Sequence, residues 1–184
     1  MAEMNAGSAA DVNANPLLAH DLIPKFDAIE PQHLAPAVDE LLQRTEGAFK
    51  ALEAAHVTQA PTWDSLMIPL ETLDDDLGRA WGAVRHLLGV RNSEALRQAH
   101  SECQPKIVAL STVMSQSPAI HQAMVRLRES AAFSSFSPGR QRVLDNAIRD
   151  SELAGVALAG EQKARFGAIA MRMAELATTF SNNV

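Results

Sequence analysis

The sequence predicts an all-α fold of about six helices. Apolar residues recur at steps of three, four or seven through most of the chain, which places them along single helical faces. Ser-Pro, Thr and Pro signals stand in front of those stretches, where helices start. No segment alternates apolar and polar residues with period two, so no sheet is expected.

The elements follow in order. Residues Met1 to Asn15 hold Ala, Asn, Gly, Ser and a few acids, with little to bury, and are expected to form a disordered leader. Asn15-Pro16 and Ile23-Pro24 mark an extended arm, because the residue before a proline is pushed out of the helical region. The first helix is expected near Pro31, with Leu34, Val38, Leu41, Ala48, Phe49 and Leu52 on one face. Thr62 caps a second helix whose stripe is Leu66, Leu70, Leu73, Leu77, Trp81, Val84 and Leu88, bent near Pro69.

Ser93 caps a third helix carrying Leu96, Cys103, Ile107, Leu110 and Met114 inward, and Pro105 predicts a kink or a break in it. Ser117-Pro118 and Ser137-Pro138 open a fourth helix (Ile120, Met124, Leu127) and a fifth (Leu144, Ile148), which Gly155 ends. A last helix starts near Gly160 and runs through Phe166, Ile169, Met173, Leu176 and Phe180 to Val184 without a stop signal. The regular spacing reads as helix-on-helix packing within a domain; the prolines and the short fourth helix argue against a free coiled coil.

Composition narrows the function. Of 184 residues, 47% are hydrophobic and 21% charged, the balance of a globular protein rather than a disordered one. The net charge is -6, from 16 basic and 22 acidic residues, and no basic stripe of the kind that displaces counterions is present. Nucleic acid and anionic membrane are therefore disfavoured as partners. The single cysteine, Cys103, excludes a disulfide within the chain. Nothing basic precedes Lys25, so neither a secretory nor a transit leader is read, and no apolar run approaches the roughly 18 residues of a membrane span. The expected location is cytoplasmic.

The chain offers little sign of chemistry of its own. None of His20, His33, His56, His86, His100 and His121 lies three or four residues from another, and H-E-x-x-H is absent, so no metal site is expected. His100-Ser101-Glu102 matches half of a zinc-deaminase signature, but the required P-C-x-x-C is missing. Cys103 sits in an apolar stripe, as an inert core thiol does. Asp74, Asp75 and Asp76 point about 100° apart on a helix and do not converge on a cation. Arg149-Asp150-Ser151-Glu152 reads as a surface cluster. No catalytic residue, metal ligand or cofactor site is assigned.

Several ordered stretches go further. They are Asn15-Pro16-Leu17-Leu18, Pro24-x-Phe26-x-x-Ile29-x-Pro31-x-His33, Thr62-Trp63-x-x-Leu66-x-x-Pro69-Leu70, and Leu77-Gly78-Arg79 with Val84-x-His86-Leu87 and Asn92-Ser93. Leu144-Asp145-Asn146-x-x-Arg149-Asp150-x-Glu152-Leu153-x-Gly155, Ala174-Glu175-Leu176 and Phe180-Ser181-Asn182-Asn183-Val184 follow. From about Asn15 onward the chain resembles the N-terminal region of the thimet-type zinc oligopeptidases, and among them the bacterial members.

The resemblance implies an almost wholly helical fold with a deep channel between two halves, one wall of it built partly by N-terminal helices. It implies an enzyme family that hydrolyses short, unstructured peptides in the cytosol. The family's zinc is held by the two histidines of H-E-x-x-H and a later glutamate, with the motif's Glu as general base. All of these lie beyond the family's equivalent of Val184, so none is carried over. The chain looks like a member that stops within a helix. The reading is thus a leader over residues 1–15 and a helical N-terminal domain over 16–184, inactive alone, whose partner is the missing C-terminal catalytic part. Its substrate-touching residues are not assigned. With Phe166, Ile169, Met173, Leu176, Phe180 and Val184 on a final helix lacking a C-cap glycine, self-association is expected. The alternative reading is an independent helical module that binds a partner helix in an apolar groove.

Overall fold

A computed structural model describes residues 15–19, 21 and 23–183, the side chain of Asp74 excepted. The expected leader, apart from Asn15, lies outside the described residues, as do His20 and Val184. The described residues form six α-helices and no strand: α1 (Leu34–Thr58), α2 (Ile68–Val90), α3 (Glu94–Ser115), α4 (Pro118–Glu129), α5 (Pro138–Leu153) and α6 (Gly160–Asn183).

The arm is tied down by its own polar residues. Asn15 is buried; its Nδ2 donates to the His33 carbonyl at 2.8 Å, and its Oδ1 accepts from the Leu17 N–H at 3.0 Å. This Asx turn drops Leu17 into the core, and Ile29 follows it. Pro31–His33 then form a single 3₁₀ turn leading into α1, with the Glu30 N–H donated to His33 Nδ1 at 3.0 Å.

Helix α1 is the spine. Leu34, Val38 and Leu41 join Ala80, Ala83, Val84 and Leu87 of α2 and Leu96, Cys103 and Ile107 of α3 in one core cluster. Phe49 and Leu52 join Leu66, Met67, four residues of α4 and Leu144 of α5 in a second. The buried arc of α1 passes through Thr45 and His56; Ala48, placed in it by periodicity, is exposed at the arc's rim.

Two prolines are handled differently. Before Pro69 the chain makes a π-turn over Trp63–Met67, capped by the Thr62 side chain, in which the Ile68 N–H reaches the Trp63 carbonyl. Pro69 has no N–H for the carbonyl four residues back, at Ser65. The buried His56 ring supplies the missing donor: its Nε2 lies 2.9 Å from that oxygen. Because a carbonyl only accepts, this contact fixes the proton on Nε2 and leaves the buried Nδ1 without a partner. The expected bend at Pro69 thus appears as a local π-turn.

Pro105, by contrast, does not break α3, which runs unbroken from Glu94 to Ser115. Cys103 and Ile107 anchor the helix in the core on either side, while Pro105 and Ser101 lie on its exposed flank, where water can serve the freed Ser101 carbonyl.

The other start and stop signals hold. Ser93, Ser117 and Ser137 each accept from the N–H three residues on. At the end of α5, Gly155 has φ +84°, the Val156 N–H bonds the Ser151 carbonyl and the Gly155 N–H bonds that of Glu152. That pair of bonds is a Schellman ending, and it turns the chain toward α6.

Helix α6 carries the kind of uncovered apolar surface on which the expected self-association rests. Its large apolar residues do not face the domain: Ile169, Met173, Leu176 and Phe180 are 51%, 66%, 50% and 71% exposed. No residue of α6 is fully buried, and Phe166, Gly167, Ala170, Ala174 and Thr178 are its half-covered positions. The small residues Ala170, Ala174 and Thr178 lie on one face and let the helix approach α3, where Thr178 Oγ1 donates to Gln104 Oε1 at 2.9 Å.

Candidate functional site

Single histidines in the described part serve the fold. His33 caps the start of α1, His56 serves the Ser65 carbonyl, and His86 packs against Phe26 with ring centroids 5.1 Å apart. His121 Nδ1 lies 2.6 Å from Ser151 Oγ, a pair that sequence spacing did not reveal. It is not a nucleophile with its base. Ser151 spends its one hydroxyl proton on the Ile148 carbonyl at 2.7 Å, so the His121 N–H donates to Oγ instead of accepting from it.

Among the described residues no three His, Cys, Asp or Glu side chains gather as metal ligands, so they do not fit the zinc that the family resemblance implies. Cys103 is buried and its thiol is pushed up by that burial, which keeps it protonated and inert. Arg149 pairs with its neighbour Asp150 at 2.9 Å on the surface, while Ser151 turns inward.

Two features remain. The first is the outward apolar stripe of α6. Covering a few hundred Å² of such surface is worth several kcal/mol at about 25 cal/mol per Å². The second is a cavity of about 500 Å³ where the C-terminal half of α2, the N-terminal half of α3 and the end of α6 meet. Arg85, Arg97 and His100 line it with Ser181 and Asn182 of the last stretch, and Trp81 forms a wall. His100 lies flat against Trp81, with ring centroids 4.5 Å apart and planes 13° from parallel. Burial, then the nearby Arg85 charge, lowers the His100 pKa from its ordinary value and holds the ring neutral. No phosphate cradle, ligand triad or base-activated nucleophile lies in either feature, so what they offer chemically is binding.

The family-model match decides what the fold belongs to. Residues 38–163, more than half of the chain, match the N-terminal domain of neurolysin and thimet oligopeptidase. The chain belongs to this family. Oligopeptidase A of Haemophilus influenzae is 37% identical to it over 172 residues, covering 93% of this chain and 25% of that protein. Oligopeptidase A of Escherichia coli is 37% identical over 171 residues, with 92% and 25% covered. A probable cytosolic oligopeptidase A of Arabidopsis thaliana is 35% identical over 173 residues, with 94% and 24% covered. The chain therefore spans about a quarter of the length of the curated relatives it matches. One further Arabidopsis relative is named as organellar, chloroplastic or mitochondrial. No described helix is long and apolar enough to cross a membrane.

Proposed function

We propose that this chain is the N-terminal helical part of a cytosolic zinc oligopeptidase, where it forms one wall of a channel that admits short, unstructured peptides. The zinc and its general base would come from residues outside this chain, since the described residues offer no ligand set. The observation that carries this reading is α6. It is a long helix that turns Ile169, Met173, Leu176 and Phe180 to solvent and, beyond the half-buried Phe166 near its start, packs inward through small residues, as an element with a second partner surface does. The role is one of shape: a wall selects by size and positions a substrate backbone, and contributes no proton transfer.

The test is complementation. A C-terminal catalytic part of an oligopeptidase A, expressed with and without this chain, is assayed on a fluorogenic peptide. Activity is expected only with both parts, and this chain alone should bind no stoichiometric zinc and cleave nothing. Chelator-sensitive cleavage by this chain alone would sink the proposal. Changing Ile169, Met173 and Phe180 to Gln should abolish complementation, and an unaffected triple variant would remove the stripe from the argument.

The same stripe makes self-association of the 184-residue chain the expected behaviour in isolation. Sedimentation over a wide concentration range should show dimers that the triple variant lacks. A strict monomer with a fully protected α6 in hydrogen exchange would favour an independent interaction module.

A further inference from the structure

We propose that the cavity between α2, α3 and the end of α6 is a binding site for a small organic carboxylate. In a chain of net charge -6, the residues lining this cavity include two arginines and a histidine but no Asp or Glu. Among the described residues no carboxylate pairs with Arg85, and Arg97 is held by a neutral amide, its Nη1 donating to Asn92 Oδ1 at 3.0 Å. Neither guanidinium is neutralised, and Arg97 is oriented by that amide. A guanidinium fork matches the two oxygens of a carboxylate.

A second observation is independent of the arginines. His100 is only 6% exposed, yet its ring nitrogens have no hydrogen-bond partner among the described residues. Its nitrogens are not sealed in as the buried Nδ1 of His56 is, so they can be reached from the cavity. His100 lines the cavity, so a bound molecule can supply the partner. Stacking on Trp81 sets the ring plane in advance, and the neutral imidazole offers one donor and one acceptor.

Size sets the class of ligand. About 500 Å³ is far more than a lone inorganic anion fills and lies within the range of small-molecule sites. Trp81 and Leu88 give the lining an apolar surface for the body of the ligand, and Ser181 and Asn182 add polar partners. The ligand is thus an acid with a carboxylate at one end and a body of two or three residues' bulk. A free dicarboxylic acid and the C-terminus of a short peptide share this chemistry. The site needs no catalytic part, so it stands or falls independently of the channel-wall proposal.

The test uses the isotope-labelled 184-residue chain, whose two tryptophans give two indole N–H signals. The probes are N-acetyl-trialanine, its C-terminal amide, glutarate and inorganic phosphate. N-acetyl-trialanine or glutarate should shift the Trp81 indole signal saturably and leave that of Trp63 unmoved, because Trp63 lies against Phe136 and Arg140, away from the cavity. The amide should bind at least tenfold more weakly. Arg85→Gln and Arg97→Gln should each weaken binding about tenfold with unchanged helical signal, Arg85→Lys should retain part of it, and Arg142→Gln should change nothing. Tighter binding of the tripeptide assigns the source to a peptide terminus, and equal or tighter binding of glutarate to a free acid. Equal binding of the amide, a preference for phosphate, no shift at Trp81, or undiminished binding in the double arginine variant would each overturn the proposal.

Discussion

Helices α1 to α5 and helix α6 use apolar residues in opposite ways. In the first five, the large side chains of each stripe meet in two core clusters that share α1 as a spine. In α6, after the half-buried Phe166, the large side chains face out and the small ones face in. The first region is held by burial, which is worth about 1.5–3 kcal/mol for each large apolar side chain. The second is held by close approach of backbones and a few side-chain bonds such as Thr178 to Gln104. The body is therefore self-sufficient in a way that α6 is not.

The largest effects expected from this difference come from truncating matched residues in the two regions. Leu144 and Leu66 are fully buried, and Leu144→Ala or Leu66→Ala should cost about 2–5 kcal/mol, because each leaves a cavity as well as losing contact. Ile169→Ala and Phe180→Ala should stay within about 0.5 kcal/mol, the range of surface changes, at concentrations low enough to keep the chain monomeric. Urea unfolding of the four variants measures this directly. Similar losses at Leu144 and Phe180 in the monomer would mean that α6 buries its stripe within the chain, through a different docking on α3.

Much of this organisation was legible in the sequence, and the part that was not has a definite cause. Caps at Thr62, Ser93, Ser117 and Ser137 and the stop at Gly155 are local chemistry, so reading neighbours suffices. Periodicity also placed Phe166, Ile169, Met173, Leu176 and Phe180 on a common helix. It reports which residues share a face; the expectation that this face is uncovered rests on the family resemblance and not on spacing. Direction is decided by the partner, and small residues such as Ala170 and Ala174 give no hydrophobic signal of their own. The unbroken passage of α3 through Pro105 was hidden for a similar reason, since the anchors Cys103 and Ile107 act through contacts with α1 and α2. The cavity assembles Arg85, His100 and Asn182 from three separate stretches, and no spacing rule links them.

A smaller effect separates the two glycines that flank the junction between the regions. Gly155 holds φ +84°, and an added Cβ would come within 2.6 Å of Leu158 Cδ1. Gly155→Ala should therefore cost about 1–3 kcal/mol through left-handed strain and the displaced Leu158. Gly167 lies inside α6, where an added Cβ meets nothing within 4 Å. Gly167→Ala should stabilise α6 by about 0.5–1 kcal/mol, by restricting the unfolded chain without hindering the approach to α3. Hydrogen exchange over residues 160–183 reports both: faster for the first variant, slower for the second. Loss of protection in Gly167→Ala would show that α6 sits closer to α3 than this geometry has it.

The smallest expected effect is a pH dependence where the body and α6 meet. His100 projects from α3 toward Trp81, and among the described residues Arg85 and Arg97 are the charged groups lining the same space, with no titratable residue of α6 in the lining. Its pKa in the folded protein is lowered, first by burial and then by Arg85. The unfolded value is about 6.5. Above that pH neither state holds the proton, and the contribution of His100 to stability is constant. As pH falls below it, the unfolded chain takes up the proton before the folded one, so stability declines until the lowered folded pKa is reached and then levels off. The decline is modest because the cavity gives the ring partial access to water, which limits the cost of charging it. Unfolding between pH 7.5 and 5 should show a shallower slope in His100→Gln than in the unaltered chain, and the His100 imidazole signals should titrate with a midpoint below 6.5. A midpoint at or above 6.5 would mean that a carboxylate, not a guanidinium, dominates the surroundings of the ring.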